Sequence, residues 1–144
     1  MHLKLTNGQP EKYSIGQLRR DNSNTSFPKN PPEALLADWG VYPYTVQDVA
    51  VDSLVQRKVE GQFTQVDGSW ILPKVAENLP QDQAESNVRA KRDGLLKETD
   101  WLVIKAYERN ENIPAEWETY RQALRDITSQ AGFPYSVAWP IKPE

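Results

Sequence analysis

Hydrophobic residues follow two different periods along this chain, and the change falls near residue 80. In the first part, β-branched and aromatic residues are separated by polar ones, which is typical of strands. In the second part, Val88, Leu95 and Leu102 recur every seven residues, which indicates an amphipathic helix. The pattern predicts an α+β protein, with a small N-terminal α/β domain over residues 1–80 and a helical domain over residues 81–144.

A β-hairpin is predicted at the N-terminus. Leu3 and Leu5 alternate with polar residues, so one face of a short strand is apolar. The dipeptide Asn7-Gly8 is favoured in tight turns between strands, because both residues tolerate a left-handed backbone. The second strand of this hairpin is expected to return through Tyr13.

Two short helices are predicted on either side of a proline-rich loop. Ser14 is a good capping residue for a helix that ends near Arg20. Residues 21–32 are rich in proline and in side chains that favour turns. Pro32 suits the first position of a second helix, and Gly40 is expected to terminate it.

Two main strands are predicted in the rest of this domain, over residues 55–66 and 69–77. The dipeptide Asp67-Gly68 between them is the strongest hairpin signal in the chain. Pro73 lacks a backbone N–H, so the second strand is expected to be an edge strand or to contain a bulge.

An antiparallel helical hairpin and an extended tail are predicted for the second domain. One helix is expected over residues 82–109, with Gly94 as its weak point. Pro114 is expected to open the next helix, and the proline-rich segment 132–144 is expected to be extended. The apolar face of the second helix contains Trp117, Tyr120, Leu124 and Ile127.

Composition excludes several classes of function. The chain of 144 residues has no cysteine, so it has neither disulfides nor thiolate metal ligands. Its 17 basic and 20 acidic residues are scattered and give a net charge of −3, which argues against nucleic acid as a partner. No apolar run approaches the roughly 20 residues of a membrane span, and the N-terminus does not have the apolar stretch of a signal peptide. We therefore expect neither membrane insertion nor secretion by a signal peptide.

Residues suited to catalysis are few. His2 is the single histidine, and its place near a terminus predicts an exposed residue without a role. Asp93, Glu98 and Asp100 could form a carboxylate pair of the kind that cleaves glycosides, but a solvated helix face explains them better. No phosphate-binding glycine motif is present. The sequence therefore predicts no catalytic residue, no metal site and no cofactor, and a protein that is not an enzyme.

Aromatic residues on irregular segments are the best candidates for binding a partner, because loops can present them to another protein. The candidates around the first proline-rich stretch are Phe27, Trp39 and Tyr42, with Tyr44 beside them, and those near the C-terminus are Phe133, Tyr135 and Trp139, with Val137 beside them. The alternative is that both segments fold back over the core. Trp101, Trp117 and Tyr120 have helical spacing and are expected to pack in the core rather than to form a ligand cage.

Three stretches in the second half of the chain carry a specific combination of residues. They are Arg92-Asp93-Gly94-Leu95-Leu96-Lys97-Glu98-Thr99-Asp100-Trp101, then Trp117-Glu118-Thr119-Tyr120-Arg121-Gln122-Ala123-Leu124-Arg125-Asp126-Ile127, and finally Gly132-Phe133-Pro134 with Trp139-Pro140. In order and spacing they resemble the phage tail assembly chaperone family over about residues 90–143. Segments of the first part, within residues 18–43, also resemble segments of phage tail proteins.

The resemblance implies a function in assembly rather than in catalysis. It implies that the chain is a phage tail or tail-fibre assembly chaperone that binds a tail-fibre subunit or another tail protein in the host cytoplasm. The alternative is a structural virion component of the baseplate or tail fibre, which would place the chain in the virion tail. Whether the chain forms a homo-oligomer is left open.

Overall fold

Two compact units make up the chain in a computed structural model that describes residues 1–144. The first, called here the sheet unit, comprises Met1–Ala50 and Lys58–Ala76. The second, called here the helical unit, comprises Val51–Arg57 and Glu77–Glu144. The chain contains both strands and helices, which confirms the predicted α+β class.

Six strands form a mixed sheet. They are β1 (His2–Thr6), β2 (Gln9–Tyr13), β3 (Val41–Gln47), β4 (Gln56–Glu60), β5 (Thr64–Val66) and β6 (Ser69–Asn78). The order in the sheet is β2-β1-β3-β6-β4, and β5 also pairs with β6. Strands β3 and β6 are parallel, whereas the pairs β1–β2, β1–β3 and β5–β6 are antiparallel.

Both predicted tight turns are present. The β1–β2 turn contains Asn7 with φ 53° and Gly8 with φ 79°, and the β5–β6 turn contains Asp67 with φ 48° and Gly68 with φ 79°. Two consecutive residues with positive φ match the right-handed twist of paired strands, which is why these dipeptides are favoured there. The predictions of both hairpin turns are confirmed.

The remaining strands differ from the prediction. Strand β3 was not expected, because its buried residues Val41 and Tyr44 are three apart and do not show the two-residue period of a strand. The single strand predicted over residues 55–66 is wrong, since β4 and β5 are separate. The break lies at Gly61, where an added Cβ atom would lie only 3.1 Å from Pro73 Cγ.

Strand β6 is not an edge strand, which was the first of the two alternatives that Pro73 predicted. It lies inside the sheet, with β3 on one side and with β4 and β5 on the other. The proline is tolerated because it faces the break between β4 and β5, where its carbonyl accepts a hydrogen bond of 2.8 Å from the Gly61 N–H. The irregularity therefore lies in the neighbouring strands.

The two short helices of the sheet unit are α1 (Ile15–Asp21) and α2 (Glu33–Asp38). The Ser14 hydroxyl caps α1 by accepting a hydrogen bond of 3.0 Å from the Gln17 N–H, as predicted. Gly40 follows α2 with φ 69°, a left-handed conformation that glycine adopts at low cost. These helices bury Leu18 and Leu36 against the sheet residue Val41.

The helical unit contains three α-helices and a 3₁₀ turn. They are α3 (Gln81–Glu98), α4 (Asp100–Arg109), α5 (Ala115–Arg125) and the 3₁₀ turn Asp126–Ser129. Helix α5 packs against α3, and the buried core consists of Val55, Leu79, Ala84, Val88, Tyr120, Leu124 and Ile127. None of the helices combines the length and the apolar character needed to cross a membrane.

The prediction of one helix over residues 82–109 is wrong, because the helix breaks at Thr99. The Thr99 hydroxyl donates a hydrogen bond of 2.9 Å to the Leu96 carbonyl, and Arg121 donates to the same carbonyl. In a continuous helix the Leu96 carbonyl would accept a hydrogen bond from the backbone N–H four residues later. The two side chains take the place of that donor, so α3 ends and a new helix starts at Asp100. Gly94, the predicted weak point, lies within α3.

Candidate partner-binding site

Helix α4 presents a large apolar surface to solvent. Tyr107 is 87% exposed, Ile104 58% and Trp101 57%, and Val103 is 37% exposed. Ala106, on the side of the helix that packs within the helical unit, is buried. The four exposed residues are called here the α4 face.

The residues of the α4 face form one continuous patch. Trp101, Ile104 and Tyr107 are successively three residues apart, and Val103 is four residues before Tyr107. Such residues are neighbours on a helix surface. Together they expose on the order of 500 Å² of mostly apolar area, which is comparable to the largest patches on monomeric proteins, and these often bind partners.

The prediction that Trp101 packs in the core is wrong. Apolar residues occupy most of the circumference of α4, but the rest of the helical unit covers only the side that carries Leu102 and Ala106. The other two residues of that prediction do pack together. Tyr120 is buried, and its ring lies 6.0 Å from that of the partly buried Trp117, at an interplanar angle of 89°.

The candidates of the first proline-rich stretch are partly buried in the sheet unit. The rings of Phe27 and Trp39 meet edge to face at a distance of 5.2 Å between their centres. Both pack against the cluster of Leu18, Leu36 and Val41. Tyr42 packs against a second cluster, which includes the buried residues Leu3, Tyr44 and Leu72.

The candidates near the C-terminus lie in the helical unit. Phe133 and Trp139 are partly buried against its core. The Arg89 guanidinium lies 5.4 Å from the centre of the Phe133 ring, and the Lys91 ammonium lies 4.2 Å from that of Trp139. Tyr135 is 38% exposed, and its hydroxyl donates a hydrogen bond of 2.8 Å to the Leu79 carbonyl.

The three carboxylates considered for catalysis each have a different basic partner. Asp93 pairs with Arg92 at 2.8 Å, Glu98 with Lys142 at 3.3 Å, and Asp100 with Arg121 at 2.9 Å. No group of three or more His, Cys, Asp and Glu side chains is arranged as a metal site. No two of these three carboxylates share a basic partner.

His2 is partly buried in β1, whereas the sequence predicted an exposed residue. Its neighbours across the strands are Tyr13 and Pro43. Burial lowers the pKa of His2, and the positive N-terminus lowers it further. The neutral form of the His2 imidazole therefore persists to a lower pH than that of a free histidine.

Arg121 is a buried charged residue that was not predicted from the sequence. It lies on α5 and donates hydrogen bonds to the Leu96 carbonyl, the Thr99 hydroxyl and the Asp100 carboxylate. The sequence gives no sign that Arg121 is buried whereas Arg125 on the same helix is exposed, because the partners of Arg121 are more than 20 residues away. These contacts fix where α4 begins and so position the α4 face.

A comparison with known protein families finds a match in the part of the chain that contains α4. Residues 85–144 match the family described as phage tail assembly chaperone protein. No curated protein and no solved structure gives a significant match to the chain. The matched residues include the three stretches on which the resemblance was based, so residues 85–144 are similar to this family of phage tail assembly chaperone proteins.

Proposed function

We propose that this protein is a tail assembly chaperone that binds a tail-fibre subunit, or another tail protein, through the α4 face. The observation that carries the proposal is the position of that face. Trp101, Val103, Ile104 and Tyr107 all lie within the residues that match the chaperone family. This exposed apolar surface therefore lies in the part of the chain that matches the chaperone family.

An exposed apolar patch suits an assembly chaperone for a physical reason. Subunits that await assembly expose hydrophobic surface, which makes them prone to aggregate. A chaperone that covers such a surface reversibly keeps the subunit available until its final partner arrives. The α4 face offers two aromatic side chains, Trp101 and Tyr107, and aromatic residues contribute strongly to binding energy at interfaces.

The six aromatic residues chosen from the sequence enter this proposal as further contacts. Tyr135 supports it best, because the residue is 38% exposed and its hydroxyl is held by a hydrogen bond. The rings of Phe133 and Trp139 each have one basic side chain nearby and lie at the surface of the helical-unit core. Phe27, Trp39 and Tyr42 would have to use the partly exposed portions of their rings.

Co-expression with the tail proteins of the same phage tests the proposal. Each tail protein is produced with the tagged full-length chain and without it, and the soluble fraction and the co-purified complex are measured. We expect one tail protein to become more soluble and to co-purify. Ile104→Ser with Tyr107→Ser should abolish that complex, whereas Val66→Ser, at an exposed valine of the β5–β6 hairpin, should leave it intact.

Two results would contradict the proposal. The first is that every tail protein folds and remains soluble equally well alone and none co-purifies. The second is that the complex survives the double substitution on the α4 face. Mass spectrometry of purified phage particles separates the chaperone from the alternative, a structural virion component, because a chaperone is absent from finished particles whereas a component of the baseplate or fibre is retained.

A further inference from the structure

A groove lies beside the α4 face, within the helical unit, and has a volume of about 720 Å³. Its apolar lining includes Val103, Ala106, Tyr107 and Ile113. Val103 and Tyr107 also belong to the α4 face, so the groove and that face form one continuous surface. An apolar side chain of a bound segment can enter the groove while its neighbours contact the helix.

The charged residues that line this groove are both acidic. They are Glu111 and Glu118, and neither makes an ion pair. The surrounding stretch, residues 108–118, contains four glutamates and one arginine. The groove therefore combines an apolar lining with two carboxylates that have no ion-pair partner, whereas Lys105 on the same helix lies 5.6 Å from the centre of the Trp101 ring.

The structure explains one of these two glutamates without a ligand. Glu118 lies in the first turn of α5, where the helix dipole stabilises a negative charge. Glu111 lies between α4 and α5 and follows Asn110, the left-handed residue that ends α4. Its carboxylate is neither paired with a basic side chain nor placed at the N-terminus of a helix. A cation from a bound protein would supply the missing positive charge.

The size of the surface favours a short segment as the occupant rather than a second copy of this chain. Helix α4 has ten residues and is therefore only about 15 Å long. Its exposed apolar area, on the order of 500 Å², is below the roughly 800 Å² that each partner buries in a standard stable interface. A peptide-sized segment can be held by such a surface, whereas a lasting dimer needs more.

From this charge and size we infer that the α4 face and its groove bind an apolar client segment that is flanked by lysine or arginine. The inference rests on the proposed function and deepens it by giving the chemistry of the client. Apolar side chains of the segment contact Val103, Ile104 and Tyr107. Its flanking cation lies near Glu111 and Glu118, where attraction between opposite charges favours it over an acidic segment.

Two synthetic peptides test this inference. Both carry leucines at the three- and four-residue spacing of an amphipathic helix; one has lysines at both ends and the other has glutamates. Their binding to the full-length protein is measured by fluorescence anisotropy. We expect the lysine-flanked peptide to bind at least about tenfold more tightly at low salt, and this preference to shrink as salt screens the charges.

Matched variants assign the preference to the groove. Glu111→Gln combined with Glu118→Gln should reduce the tenfold preference to about twofold or threefold, since only the charges change. Glu116→Gln, in the same acidic stretch but outside this groove, should retain it. Tyr107→Ser should weaken binding of both peptides. Circular dichroism verifies that each variant is folded.

The inference is overturned if the two peptides bind equally well, if the glutamate-flanked peptide binds better, or if the neutralised double variant keeps the full preference. It is also overturned if sedimentation shows a dimer that Tyr107→Ser converts to a monomer, because the occupant is then a second copy. A tail-protein complex that depends on Tyr107, found together with equal binding of the two peptides, would refute this inference and leave the proposed function standing.

Discussion

The guanidinium group of Arg121 donates a hydrogen bond of 2.9 Å to the backbone carbonyl of Leu96, although 25 residues separate them in the chain. Leu96 lies in the last turn of α3, where carbonyls have lost their partners within the helix. The same guanidinium group bonds the Thr99 hydroxyl and the Asp100 carboxylate. Arg121 thus holds α5, the end of α3 and the start of α4 together.

Arg121→Met should lower the free energy of unfolding by about 2–3 kcal/mol, because the buried Thr99 hydroxyl and the Leu96 carbonyl lose a charged donor. The Asp100 carboxylate contributes less, since more than half of its side chain is exposed. Urea unfolding followed by circular dichroism measures the change. Arg125→Met, at an exposed position of the same helix, should change stability by less than about 0.5 kcal/mol. Equal effects of the two substitutions would contradict this account.

Thr99→Val tests whether Arg121 and Thr99 act as a pair. The substitution keeps the shape of the side chain and removes the hydroxyl, so we expect a loss of about 1–2 kcal/mol in the free energy of unfolding. The loss in the double variant with Arg121→Met should be smaller than the sum of the two single losses by about 1 kcal/mol. Each single substitution already removes the bond between the two residues, so the sum counts that bond twice. Additive losses would show that the two side chains stabilise the fold independently.

Features set by adjacent residues were predictable from the sequence. The turns at Asn7-Gly8 and Asp67-Gly68 and the cap at Ser14 depend on the conformational preferences of two or three consecutive residues. The α+β class followed from the change of hydrophobic period. In each case the information lies within one short window of the chain.

Features set by distant residues were not predictable. The break at Thr99 depends on Arg121, and the break between β4 and β5 depends on the close approach of Pro73 to Gly61. The sequence places the members of each pair far apart and gives no sign that they meet. A continuous helix and a continuous strand were therefore the natural predictions.

Exposure of the α4 face was only partly predictable, for a related reason. The apolar residues of α4 predict burial, but a helix buries only the sides that other elements cover. A usable signal was present, because apolar residues spread from Trp101 to Tyr107 around most of the helix rather than along one stripe. Such a distribution indicates either complete burial or a partner.

Fluorescence quenching can verify the exposure of Trp101. It is the one tryptophan of five that is more than half exposed, and the others are partly buried. We expect Trp101→Phe to remove the component of emission that acrylamide quenches fastest and to shift the remaining emission to shorter wavelength. Trp117→Phe is the control and should leave that component in place. Unchanged quenching in Trp101→Phe would show that α4 is covered.

Stability at high pH should depend on Tyr13. Burial raises the pKa of Tyr13 to about 12, and the hydrogen bond of 2.6 Å that its hydroxyl donates to Asp21 acts in the same direction. A phenol with a raised folded-state pKa contributes full stability below its unfolded value of 10.0, and this contribution is lost as the pH rises through about 12.

The comparison with Tyr13→Phe isolates this contribution. At pH 8 we expect the variant to be less stable by about 1 kcal/mol, because the hydrogen bond to Asp21 is missing. Between pH 10 and about 12 the difference between the two proteins should shrink, since only Tyr13 of the original protein loses its proton. Urea unfolding at a series of pH values measures the difference. A constant difference across that range would show that this hydroxyl does not control the loss of stability.

Two glycines should respond to alanine in opposite directions. Gly94 lies inside α3, where an added Cβ atom meets nothing within 4 Å, so Gly94→Ala should raise the free energy of unfolding by about 0.5–1 kcal/mol through higher helix propensity. Gly68 also has open space around it, but its φ of 79° is unfavourable for alanine, so Gly68→Ala should lower the free energy by about 1 kcal/mol. Because neither substitution creates a steric clash, the opposite signs isolate backbone conformation as the cause. Thermal and urea unfolding of both variants measure the effects, and stabilisation by Gly68→Ala or destabilisation by Gly94→Ala would contradict the assigned turn or helix.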